Sequence, residues 1–160
     1  VRSVSTASWC AVGVDRSFCN DPATPWTYPL SLPAALPICG AVHSPCVGND
    51  YKVIAVPKRN LAGLGLLTSA TVHQAEAARW VELHPGEVGR AEIVFLDPPY
   101  RDPVLGEVLT ALDEAARGTV VVEWSGKETL PELARLEVRR DKAYGATRLT
   151  ILTPRMKTDK

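Results

Sequence analysis

No apolar run in this chain approaches the roughly 18 residues that a membrane helix needs. Nor is there an excess of charge of either sign, since 18 basic residues face 18 acidic ones over 160 positions. No global field therefore draws the chain to nucleic acid or to an anionic membrane. A basic start followed by an apolar stretch is also missing, so the chain is expected to carry no secretory signal and to work in the cytoplasm. Four cysteines are present (Cys10, Cys19, Cys39 and Cys46), but no C-x-x-C pair, which structural zinc sites usually require. No metal site is expected, and a disulfide framework would need an oxidising compartment to which nothing routes the chain. Hydrophobic residues at 46% and charged residues at 22% exclude wholesale disorder and suit one globular domain.

The average conceals a break near residue 50. Residues 1–50 hold only five charged residues, Arg2, Asp15, Arg16, Asp21 and Asp50. They also hold all four cysteines and six of the 13 prolines. No period of two or 3.6 persists there, so residues 1–46 are expected to form an atypical, irregular segment. Residues 47–154 read as the folded domain, and 155–160 as a basic tail.

From Tyr51 the pattern is legible. Ile54, Ala55, Lys58, Leu61 and Ala62 fall at helical spacing, with Gly63 and Gly65 as the stop and Pro57 as an interior blemish. A strand at Thr71–His73 and a helix over Ala75–Leu83, ended by His84-Pro85-Gly86, come next. Ala91–Leu96, apolar but for Glu92, reads as a strand buried on both faces. Pro103–Arg117 is an amphipathic helix whose Val104, Leu105, Val108, Leu109, Leu112 and Ala116 share a face. Thr119–Glu123 predicts a second buried strand, and Leu130–Leu136 a short helix with Pro131 in its first turn. Leu136–Lys142 and Thr147–Thr153 predict two further strands. Alternating strands and helices imply a mostly parallel α/β sheet. The last two strands have a link too short for a parallel crossover and must be antiparallel.

Asp97-Pro98-Pro99-Tyr100 directly follows the buried run Ile93–Leu96. In an open α/β sheet the ligand crevice lies beyond the carboxyl ends of the strands. Asp97 offers an acceptor to an exocyclic amine. Pro98 and Pro99 fix φ and stiffen the loop, leaving carbonyls that can accept from the same amine. Two acceptors on one NH₂ draw its hydrogens out of conjugation, so its nitrogen lone pair can attack a sulfonium methyl. Tyr100 gives a flat face for a base taken out of its stack. The same four residues would also serve as a plain proline turn with Asp97 as a polar exit. A proline-motif ligand would be extended and exposed, not set against a buried strand.

Ile93–Tyr100, then a helix, then Val120-Val121-Val122-Glu123, then Lys142-Ala143-Tyr144-Gly145-Ala146-Thr147 resembles the RsmD-type 16S rRNA (guanine-N2) methyltransferases. Asn60–Leu66 is similar to the helix end that precedes the third strand in that family, and the likeness covers roughly residues 47–154. It implies a Rossmann-like class I methyltransferase sheet, incomplete at its N-terminus. It further implies S-adenosylmethionine as cofactor, and as partner 16S rRNA or the small ribosomal subunit, with the chain acting as a monomer away from membranes. By the same resemblance Asp97, Pro98, Pro99 and Tyr100 match the catalytic loop. Glu76 and Ala77 match the place where the family has an Asp or Asn at the adenine edge of the cofactor. Glu76 also suits a plain first-turn acid that complements the helix dipole. Tyr144 and Gly145 match the closing hairpin, where packing and turn geometry account for them.

The front of the chain departs from this pattern. The family opens with a strand and a glycine-rich turn of D-x-F-A-G-S-G type, whereas Gly40 and Gly48 here are isolated. The ribose-binding acid expected after the second strand falls at Gly48, with Asp50 two residues late as a cofactor-binding substitute. Residues 1–46 therefore do not match, and the central sheet is expected to lack its middle strand. Three readings stay open: the rRNA guanine enzyme; a DNA adenine or protein glutamine methyltransferase with the same loop; and a non-catalytic fragment that binds nucleic acid. From Arg135 onward eight basic residues face three acidic ones, which suits phosphate contacts or a solvated strand face equally. His43, His73 and His84 share no ligand spacing. The missing glycine turn predicts that S-adenosylmethionine binds this chain weakly or not at all. Isothermal titration checks this, and a micromolar dissociation constant would contradict it.

Overall fold

In the computed structural model, residues 8–14, 41–49, 51–98 and 104–156 are described. Seven strands form one sheet: β1 (Ser8–Val14), β2 (Ala41–Gly48), β3 (Ala70–Gln74), β4 (Ile93–Asp97), β5 (Thr119–Ser125), β6 (Leu136–Tyr144) and β7 (Thr147–Pro154). Their spatial order is β3-β2-β1-β4-β5-β7-β6. Helices α1 (Tyr51–Gly63), α2 (Ala77–Leu83), α3 (Pro85–Arg90) and α4 (Val104–Ala115) complete the described elements. The fold is Rossmann-like α/β, as expected. Among the described residues no helix is long and apolar enough to cross a membrane.

β2 is parallel to β3, and β4 to β5, while β7 runs antiparallel to both β5 and β6. The middle of the sheet corrects one expectation. A strand does fill that position, but β1 is antiparallel to both neighbours, with Trp9 opposite Val47 on one side and Leu96 on the other. Residues 8–14 and 41–46, within the segment expected to be irregular, are thus strand. A low-charge run such as Trp9-Cys10-Ala11-Val12 can pair within a sheet in either direction, because apolar pattern carries no information about direction.

The main core lies between the sheet and helices α2, α3 and α4. Val94, Leu96, Val120 and Val122 from the sheet pack there with Val108, Leu109 and Leu112 of α4. All of these are 0–1% exposed, and each such side chain contributes about 1.5–3 kcal/mol. β4 and β5 approach closely because residue 118 is glycine. A Cβ there would strike the backbone carbonyls of Ala91 and Glu92, and the Thr119 N–H donates to the Glu92 carbonyl at 2.9 Å.

Helix α1 runs through Pro57 and ends as its glycines predict. Gly65 has φ +69°, the Leu66 N–H donates to the Leu61 carbonyl at 2.9 Å, and the Gly65 N–H donates to that of Ala62 at 3.2 Å. This paired closure places Leu66 against buried Leu61, the contact that usually accompanies it.

Helix α2 ends at Leu83 as expected, with His84 at its C-cap, but the short helix α3, which was not expected, begins at once at Pro85, a position where the missing N–H costs nothing. One helical expectation needs correction. Leu130–Leu136 is not a helix. The buried carboxylate of Asp113, on α4, accepts from the amides of Ala134 (2.9 Å), Arg135 (2.9 Å) and Leu136 (2.7 Å), which holds this segment in an open turn leading into β6. Asp113→Ala would leave three amides without that acceptor, each worth about 1–3 kcal/mol when buried. Urea denaturation is expected to show a loss of about 3 kcal/mol, with a smaller loss in Asp113→Asn; a loss below about 1 kcal/mol in the alanine variant would contradict this account.

Candidate functional site

The carboxyl ends of β2, β3, β4 and β5 share one edge of the sheet. Gly48 lies opposite Gln74, and Leu96 opposite Val122. Asp97 is the last residue of β4, and Pro98 beyond it is buried. The leading half of the expected catalytic loop thus stands where an α/β sheet places its ligand crevice. Pro99 and Tyr100 lie outside the described residues, as does Asp50.

Asp97 keeps contact with solvent, yet its carboxyl is pushed above the usual carboxylate range, first by partial burial and second by the negative charge of Glu123. Register explains the second effect: Leu96 pairs with Val122, so the next residues on these parallel strands, Asp97 and Glu123, are neighbours on one face. Glu123 stood in the sequence motif without a role assigned to it. Its adjacency could have been found only by aligning the two apolar runs at their starts.

Glu76 sits at the N-cap of α2, where one carboxylate oxygen accepts from the Ala78 amide at 2.8 Å and the other from the Arg79 amide at 2.8 Å. Both oxygens are engaged in satisfying the helix end. Ala77 is 3% exposed and packs in the core. The chain joins β3 to β2 just before this cap, with the Ala75 N–H donating to the Gly48 carbonyl at 3.0 Å.

For S-adenosylmethionine the described residues do not assemble a complete cradle. β1 enters the rim at Ser8, opposite Asp97, and leaves the sheet at Val14, opposite Ala41 at the far end. β1 therefore ends at the edge of the sheet away from Asp97. Gly48 carries no carboxylate for ribose, and Glu76 is occupied by its own helix.

The closing hairpin has Gly145 at φ +64° between Tyr144 and Thr147, a conformation that suits glycine. Four side chains brace it against β5. The Trp124 indole N–H donates to Thr150 Oγ1 at 2.9 Å, and that hydroxyl donates to Asp141 at 2.8 Å. Arg148 Nε donates to both oxygens of Asp141, at 2.9 and 2.8 Å, while its guanidinium lies 5.5 Å from the Trp124 ring centroid. These bonds hold the Asp141 carboxyl below its usual range.

Two of the three histidines contact Trp80. His84 stacks on its indole at 4.3 Å, His73 tilts against it at 5.3 Å, and His43 lies 3.4 Å from Thr71. Among the described residues no group of three His, Cys, Asp or Glu side chains is placed to hold a metal.

A carboxyl raised in the folded state favours folding below its unfolded pKa, and that contribution is lost as pH rises through the folded value. At neutral pH ionised Asp97 is therefore a net cost to the fold. Asp97→Asn is expected to raise the thermal midpoint near pH 7, with the gain vanishing as pH falls below about 4. Scanning calorimetry across that range checks it, and a lower midpoint at neutral pH would contradict the assignment.

The family described as conserved hypothetical protein 95 matches residues 39–153. YlbH of Bacillus subtilis (strain 168), a candidate rRNA methyltransferase, is 32% identical over 121 residues, covering 72% of this chain and 66% of that protein. The chain thus spans just under two-thirds of the length of that relative. Among solved structures, the candidate methyltransferase yhhF of Escherichia coli is 23% identical at TM-score 0.61, covering 74% of this chain and 66% of its own. A candidate methylase of Haemophilus influenzae is 19% identical at TM-score 0.62, covering 71% and 73% respectively. These two likenesses carry the fold, and the sequence match carries the lineage. The chain belongs to the conserved hypothetical protein 95 family, the RsmD family.

Proposed function

We propose that this site serves S-adenosylmethionine-dependent methyl transfer to the exocyclic N2 amine of a guanine in 16S rRNA. The observation that carries the reading is the placement of Asp97 and Pro98 at the carboxyl end of β4, with Glu123 beside Asp97. On its Watson–Crick edge guanine presents two adjacent donors, N1–H and the N2 amine, with the N3 acceptor on the other side of the amine. Two neighbouring carboxylates offer acceptors that suit this donor pair. On the same edge adenine and cytosine place a ring-nitrogen acceptor beside the amine and would need a donor there. Asp97 and the Pro98 carbonyl accept from the two amine hydrogens, which withdraws the nitrogen lone pair from the ring and orients it. S-adenosylmethionine supplies the methyl group when bound. The likeness to YlbH, a candidate rRNA methyltransferase, supports rRNA as the acceptor class.

A second reading, a non-catalytic nucleic-acid-binding chain, is favoured by the reversed β1 and by the capping role of Glu76. Methyl transfer to 16S rRNA separates the two at a millimolar concentration of radiolabelled S-adenosylmethionine, chosen to offset weak binding. Label is expected in N2-methylguanosine after nucleoside digestion, and Asp97→Ala is expected to lower it at least about 100-fold. Label in N6-methyladenosine would favour the adenine acceptor. No label with RNA binding retained would favour the non-catalytic reading.

A further inference from the structure

An exposed strand of the sheet also aligns with the candidate site. β6 is an edge strand, and all its residues from Glu137 to Tyr144 are exposed. Cross-strand register places Lys142 opposite Leu149, and Leu149 opposite Glu123. Directly paired residues share a face, so Lys142, Leu149, Glu123 and Asp97 form one row across four strands. Arg140 and Tyr144 lie two residues either side of Lys142 and share its face. Tyr144, paired with Thr147 and thereby level with Ser125, stands at the same end of the sheet as Asp97. Three strand spacings separate β6 from β4, about 14 Å.

The chemistry of this face is basic and aromatic. Tyr144 is 55% exposed, and Lys142 Nζ lies 4.9 Å from its ring centroid. Asp141, the acid between Arg140 and Lys142 in sequence, is neutralised by Arg148 on the opposite face. Edge strands often carry basic residues merely to prevent sheet-to-sheet aggregation. That role does not call for an exposed aromatic ring in line with the site.

We propose that the face of the β6–β7 hairpin presenting Arg140, Lys142 and Tyr144 is a docking surface for single-stranded RNA leading to Asp97. Arg140 and Lys142 contact phosphates, and a base stacks on Tyr144. The inference rests on the RNA reading above and deepens it.

Fluorescence anisotropy of the full chain with a labelled single-stranded RNA of about 12 nucleotides, a length within the usual site size, tests it. Arg140→Glu with Lys142→Glu is expected to weaken binding at least about ten-fold and to flatten the log K against log[salt] slope by about 1.4. Tyr144→Ala is expected to weaken binding about ten-fold, and Tyr144→Phe, which keeps the ring, to restore it. These side chains are exposed, and an unchanged circular dichroism spectrum confirms folding in each variant. If the wild-type chain binds RNA while the double variant binds equally well with the same salt slope, the docking surface is wrong and the RNA reading stands. If the wild-type chain binds no RNA, both fall. Duplex DNA bound as tightly as single-stranded RNA would overturn the single-strand assignment.

Discussion

The contact on which the rest depends is the parallel register of β4 on β5. It is set where Gly118 lets the two strands start side by side, with Thr119 bonded to the Glu92 carbonyl. From that start, Val94 meets Val120 and Leu96 meets Val122, and all four side chains are buried. A slip of one residue would turn this apolar set toward the opposite face. It would also separate Asp97 from Glu123. The electrostatics of the candidate site thus follow from a packing constraint about four residues away, not from the site loop itself.

Much of this was legible in the sequence. The apolar runs of β4 and β5 and the 3.6-residue pattern of α4 are strong local signals, and their elements form where expected. The glycine closure of α1 and the C-terminal hairpin were legible for the same reason, since turn chemistry is local. The segment 130–136 was not, because its conformation is dictated by Asp113, more than 20 positions earlier in the chain. Helix α3 was missed because Pro85-Gly86 resembles a stop, while a proline in a first turn is equally compatible with a start. At the site, Asp97 and Pro98 followed from their position after a buried strand. Glu123 did not, since its partnership arises only from strand pairing. Glu76 had two readings in the sequence, and the structure shows its carboxylate on the amides of α2.

Within this one sheet two regions differ in how closely they follow the family pattern. β4, β5, β6 and β7 carry Asp97, the neighbouring Glu123 and the exposed basic hairpin. β1 fills the middle of the sheet while running against both neighbours. Backbone pairing is satisfied on both sides of β1, so the sheet is continuous; what differs is the direction of the strand, which ends at the edge away from Asp97. Sheet integrity and ligand-binding geometry are separable demands in this architecture.

Reversal of β1 also changes the covalent topology. Val14 and Ala41 are paired neighbours, so the intervening chain departs from and returns to the same spot. A parallel strand there would have required a right-handed crossover over the sheet. An excursion of this closed kind makes no demand on handedness, and doubling its length costs only about 0.6 kcal/mol in closure entropy. The two ends of that connection stand side by side, at the margin of the sheet remote from Asp97.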